Sequence, residues 1–132
     1  MKVLYKISIF FLGLGLRIMS LFNTKAREFV TGRQRIFQRM DEALKHNTRP
    51  LIWVHCASLG EFEQGRPVME ALRQKFPGYK ILLSFFSPSG YEPLKDWPGA
   101  DVVCYIPLDT GKNAAKFLEI VKPKVVFFIK YE

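Results

Sequence analysis

Hydrophobic and polar positions divide the chain into two kinds of stretch. From Val3 to Phe22 apolar residues crowd together, and at about 100° per residue Lys2, Lys6, Gly13, Arg17 and Ser20 fall into one narrow helical sector. Leu4, Phe11, Leu12, Ile18, Met19 and Phe22 lie away from that sector, with Ser8 the one polar residue on their side. The pattern predicts an amphipathic helix. Its uncharged run, ISIFFLGLGL at residues 7 to 16, is short of the roughly 20 residues that span a bilayer. A membrane-associating helix that lies in the interface, with its basic side chains snorkelling, is therefore expected over residues 1 to 24. Asn-Thr-Lys-Ala-Arg-Glu after Phe22 offers no convincing cleavage site, which argues against a signal peptide.

Residues 24 to 46 are polar and helix-prone, with Arg27, Arg33, Arg35 and Arg39 close together. Residues 25 to 48 read as a basic helical connector whose charges face water. A sharper reading has some of these guanidinium groups, Arg33 among them, binding anionic headgroups or the phosphates of a lipid substrate.

After Arg49-Pro50 short apolar runs alternate with helical stretches, the pattern of βα units and a parallel sheet. Strands are expected at Leu51 to His55, Lys80 to Phe85, Asp101 to Ile106 and Val125 to Ile129. Helices are expected at Phe62 to Phe76, near Tyr91 to Asp96, and at Thr110 to Val121, the first of them stopped by Pro77-Gly78. Residues 49 to 132 thus form an α/β domain with an open, Rossmann-like parallel sheet. Ligands of such sheets bind at the carboxyl ends of the strands. The loops there should bring Ser58, Glu61, Ser87, Ser89, Asp109 and Glu132 to one edge. The sequence stops just past the fourth strand, before a helix to cover it, as a fragment of a larger domain would.

The chain has 132 residues, 48% of them hydrophobic, enough for one domain with a real core. Its net charge of +8 belongs to the front: residues 1 to 50 hold 10 Lys and Arg against 3 Asp and Glu, and the remainder 10 against 9. Such a front end suits an anionic membrane surface, whereas nucleic acid calls for a basic face on the folded domain. Cys56 and Cys104 lie at or in apolar runs, without metal-ligand spacing, and read as reduced core thiols.

Chemistry concentrates in the turn from His55 to Glu61. Ser58-Leu-Gly-Glu61 has the spacing of a capping box, which explains Glu61 without any function. The same carboxylate would sit at a helix N-terminus, open to solvent at the sheet edge, and could accept a proton from a substrate hydroxyl. Gly60 beside it leaves room for a substrate to approach the backbone. His55 reads as a positioned strand-end histidine, with a role as ligand or base left open. No metal-binding set and no nucleotide-binding glycine loop is present in the sequence.

Trp53-Val-His-Cys-Ala-Ser-Leu-Gly-Glu61 resembles the W-x-H-x-x-S-x-G-E turn of bacterial Kdo (3-deoxy-D-manno-octulosonic acid) transferases. Ser84-Phe-Phe-Ser-Pro-Ser-Gly90 is similar to that family's T-T-x-T-P-T-G loop, Tyr105-Ile-Pro-Leu-Asp109 to its Y-x-P-x-D element, and Ile129-Lys-Tyr-Glu132 to its M-E-T-E. The similarity runs from about residue 30 to the end. It implies the N-terminal, acceptor-binding half of a lipid A-specific, GT-B glycosyltransferase, with the donor half absent and the chain alone inactive. It further implies that Glu61 is the general base, and that Ser58, Gly60, Ser87, Ser89, Gly90 and Glu132 shape the acceptor pocket. The reaction would move Kdo from CMP-Kdo to the glucosamine disaccharide of lipid A precursor with inversion, without metal or cofactor, at the cytoplasmic face of the inner membrane. Lys130 in place of an acid and Phe85 in place of a hydroxyl residue depart from the pattern. Two other readings are a GT-B enzyme using a different nucleotide sugar and a non-catalytic, membrane-tethered binding module.

Overall fold

The computed structural model describes residues 2 to 130. Three helices come first: α1 at Lys2–Met19, α2 at Thr24–Arg33 and α3 at Ile36–Leu44. Strands and helices then alternate as β1 (Leu51–Cys56), α4 (Leu59–Lys75), β2 (Lys80–Phe85), α5 (Pro88–Leu94), β3 (Val102–Tyr105), α6 (Gly111–Val121) and β4 (Val125–Ile129). The four strands make one parallel sheet in the order β3-β2-β1-β4, a Rossmann-like arrangement.

Strand alternation builds two cores, one on each face of the sheet. Leu51 and Trp53 of β1 point to one side, where they meet Ile36, Met40 and Leu44 of α3 and Phe117 and Val121 of α6. Ile52, Val54 and Cys56 point to the other, against Phe62 and Met69 of α4 and Leu94 of α5. Covered on both faces, β1 and β2 carry the near-continuous apolar runs of central parallel strands. At the sheet edge β4 is barely covered, and Val125, Val126 and Phe128 are exposed.

Residues 24 to 46 are a broken pair of helices rather than one solvated connector. Arg35 takes a left-handed backbone conformation (φ 58°), which for a residue other than glycine costs about 1–2 kcal/mol. The turn re-aims the chain, so that Ile36, Met40 and Leu44, one turn apart on α3, become core residues. Gly32 just before it lies under the Tyr105 ring, where an added Cβ would stand 2.0 Å from Cε2.

The helices that follow β1 and β2 begin three residues earlier than the apolar periodicity suggests. Ser58 and Ser87 are their N-caps, and Pro88 sits in the first turn of α5, where its missing N–H costs nothing. In these first turns capping, and not burial, fixes the helix.

On α1 none of the residues is buried. Ile9, Gly13 and Leu16 form its half-covered strip, and Gly13 passes Leu108 of the loop after β3. Leu4, Phe11 and Ile18, with Phe22 just past the helix end, face outward, more than half exposed. Among the described residues no helix is long and apolar enough to cross a membrane.

Candidate functional site

Chain direction changes at β1: β2 and β3 are added on one side of it, β4 on the other. A sheet of this kind opens a crevice outside the carboxyl ends of its strands where the order reverses. The turn leaving β1 is therefore in the place where such a fold binds its ligands. Hydrogen bonds lace the neighbouring loops to it. Ser87 N–H donates to the Ala57 carbonyl at 2.8 Å, and Ile106 N–H to the Phe85 carbonyl at 2.8 Å. Lys130 follows Ile129, which pairs with Cys56, so it leaves the sheet at the same edge.

Within the turn, Ser58 and Glu61 form a capping box. Its strong half is the carboxylate: Glu61 Oε2 accepts from the Ser58 N–H at 2.7 Å and from the Ser58 hydroxyl at 3.0 Å. The return bond to the Ser58 hydroxyl is the weak half, since that hydroxyl is turned toward the carboxylate. One carboxylate oxygen is thus held twice. Glu61 Oε1 takes no hydrogen bond from any described residue.

Ser87 caps α5 by accepting from the Ser89 N–H at 3.2 Å, and the two hydroxyls lie 3.0 Å apart. Gly90 comes next and is buried against Phe85, whose ring would be 2.3 Å from an added Cβ. Here glycine is required by close packing. Phe85 is itself fully buried, so in place of a hydroxyl residue it supplies core rather than a group for the pocket.

A family model described as 3-deoxy-D-manno-octulosonic-acid transferase (kdotransferase) matches residues 34–132. The chain belongs to the Kdo transferase family. It is 36% identical over 92 residues to the 3-deoxy-D-manno-octulosonic acid transferase of Aquifex aeolicus, an alignment covering 69% of this chain and 25% of that protein. The Haemophilus influenzae transferase is 33% identical over 82 residues, 61% of this chain and 19% of its own length. That of Chlamydia muridarum is 33% identical over 86 residues, 60% of this chain and 19% of its own length. The chain spans about a quarter or less of the length of these Kdo transferases.

Of the residues expected to line a Kdo transferase acceptor pocket, Ser58, Gly60, Glu61, Ser87, Ser89 and Gly90 all lie in the two laced turns. Glu132 lies outside the described residues. Arg33 is committed elsewhere. Its Nε donates to the Ile106 carbonyl at 2.9 Å, its Nη1 to that of Phe29 at 3.1 Å and its Nη2 to that of Phe86 at 2.6 Å. The guanidinium also stacks on the Phe29 ring, 3.6 Å from its centroid. Burial lowers its pKa to about 10. These bonds tie Arg33 to the loops that leave β2 and β3. Asp109 bonds to the Tyr5 hydroxyl of α1 and so ties that helix to the loop after β3.

Burial sets the remaining electrostatics. It pushes both thiols, Cys56 and Cys104, up to about 12, and the Glu61 charge adds to the effect on Cys56. Neither is a nucleophile near neutral pH. His55 is held below its usual range, first by burial, against the opposing pull of Glu61. Its Nδ1 lies 2.8 Å from Ser84 Oγ, which also takes the Trp53 indole N–H at 2.8 Å. In the sequence Ser84 stands at the head of the serine-containing loop motif, and nothing local assigns it a partner. The available signal was register, since Ser84 stands directly opposite His55.

Proposed function

We propose that this chain is the acceptor-binding part of an inverting GT-B glycosyltransferase that moves Kdo from CMP-Kdo to the glucosamine disaccharide of lipid A precursor. The observation that carries the reading is a carboxylate with one oxygen anchored and the other open, set at the switch point of the sheet in a chain of the Kdo transferase family. Glu61 Oε1 takes the proton of the acceptor hydroxyl. The hydroxyl oxygen forms its new bond to the anomeric carbon of Kdo as the bond from that carbon to the CMP phosphate oxygen breaks. The bonding pair leaves with CMP. Ser58 contributes orientation: the box holds the base in one rotamer, which spares the entropy of ordering it in the transition state. Ser87 and Ser89 offer hydroxyls to the sugar, and Gly60 gives it room. No residue of the chain is asked to hold a metal.

The same reading places the enzyme at the cytoplasmic face of the inner membrane. Leu4, Phe11 and Ile18 of α1, with Phe22 just past its end, face outward, while Lys2, Lys6 and Arg17 border a cleft of about 1120 Å³ shared with Lys112. A helix of that design lies in the interface, its apolar face a few ångström below the headgroups and its cations among them. The deciding experiment offers the complete transferase CMP-Kdo and, separately, UDP-sugars, with lipid A precursor in vesicles. Transfer from CMP-Kdo alone is expected; transfer only from a UDP-sugar, or none from any donor by folded protein, contradicts the assignment.

A further inference from the structure

Trp53, Ser84 and His55 form a chain of hydrogen bonds that starts in the core and ends at the site. Each link has a direction dictated by chemistry. The indole N–H of Trp53 can only donate, and it gives to Ser84 Oγ at 2.8 Å. Ser84 is the one buried polar residue of the described core, at 0% exposure. Its single hydroxyl proton therefore needs an acceptor, and among the described residues the only one in reach is His55 Nδ1, at 2.8 Å. Were the imidazole proton on Nδ1, it could turn only to Ser84, whose carbonyl also draws the His55 pKa up, and the Ser84 hydroxyl proton would be left in the core without an acceptor, a costly arrangement.

We infer that this relay fixes His55 in its Nε2–H tautomer and presents an uncharged N–H donor to an oxygen of the bound acceptor. This inference rests on the function proposed above. His55 is the penultimate residue of β1, three residues before the Ser58 cap, and is half-buried. On one flank its ring meets Phe128 edge-on, the centroids 5.7 Å apart, which keeps the imidazole from turning. No described residue accepts from Nε2. A neutral donor suits this position: it binds an oxygen without attracting the Glu61 carboxylate into an ion pair that would neutralise the base. His55 is then a substrate-binding residue, and Trp53 and Ser84 are positioning residues acting through it.

The tautomer can be read independently of any activity. In the chain labelled with nitrogen-15 at its two histidines, long-range proton-nitrogen spectra above pH 7 should show His55 Nε2 protonated and Nδ1 bare. A His46→Gln variant assigns the signals. Ser84→Ala should bring the two His55 nitrogens toward averaged shifts; where that variant fails to fold, Trp53→Phe, which frees Ser84 to reverse its bond, should weaken the bias instead. An Nδ1–H tautomer in the unmodified chain overturns the inference. In the complete transferase, His55→Ala should raise the KM for acceptor about tenfold, with donor KM unchanged, and His55→Gln, whose amide N–H can replace Nε2–H, should recover most of that loss. Equal effects of Ala and Gln at matched thermal stability would also overturn it. Absence of Kdo transfer by the unmodified enzyme, with the Nε2–H tautomer present, counts against the proposed reaction and not against the relay.

Discussion

Helices α1 and α3 both carry an apolar stripe at helical spacing, and the protein uses them in opposite ways. Over nine residues α3 buries Ile36, Met40 and Leu44 at 5%, 1% and 8% exposure. Over 18 residues α1 buries none, and Leu4, Phe11 and Ile18 stand 71%, 62% and 56% exposed. Burying a large apolar side chain is worth about 1.5–3 kcal/mol, so α3 holds the fold together and α1 contributes little to it. The lesson is that an apolar stripe reports only that something must cover it. Its partner is decided by what the adjoining turn aims it at: the left-handed Arg35 turns α3 onto the sheet, while α1 sits on the domain by its edge.

That contrast can be broken by substitution. Met40→Ala should cost about 2–5 kcal/mol in urea unfolding, the range for emptying a well-packed core site. Phe11→Ala, of larger volume change, should stay within about 0.5 kcal/mol of the parent. Comparable losses from the two would show α1 to be part of the core. Gly32→Ala tests the junction between the helices. Its methyl would meet the Tyr105 ring, and a loss of about 1–3 kcal/mol is expected by the same unfolding measurement.

Function should follow the reverse order. Replacing Phe11 and Ile18 together by Asp is expected to leave the unfolding midpoint unchanged and to lower binding to anionic vesicles at least about tenfold in sedimentation. Vesicle binding that survives this change would detach α1 from the membrane role. A smaller effect concerns pH on the α3 side of the sheet. Because burial lowers the folded pKa of His55, the unfolded chain binds a proton first as pH falls. The His55 contribution is fully present above the ordinary histidine value of 6.5 and is lost as pH drops from there toward the folded pKa. His55→Gln should flatten that part of the stability profile.

Much of this was legible in one dimension. The four strands are short apolar runs bounded by Pro, Gly and polar residues, and period-2 and period-3.6 patterns separate cleanly after Pro50. The Ser58–Glu61 box was readable because its two partners are three residues apart. What escaped were interactions between residues distant in sequence. Arg33 binds carbonyls at Phe86 and Ile106, and nothing local distinguishes it from Arg27 or Arg39. Ser84 acquires its role only once β1 and β2 are in register. The side of α1 that meets the domain is tied to Asp109, far along the chain, through the Tyr5 hydroxyl.

The central claim is that the Glu61 carboxylate is a base as well as a cap. Glu61→Gln keeps an oxygen that can accept from the Ser58 N–H while removing the basic site. In the complete transferase, turnover with CMP-Kdo and lipid A precursor should then fall by about 10²–10⁴, the usual contribution of a general base, while the urea midpoint moves little. Turnover within about threefold of the parent would contradict the account and leave Glu61 a helix cap alone.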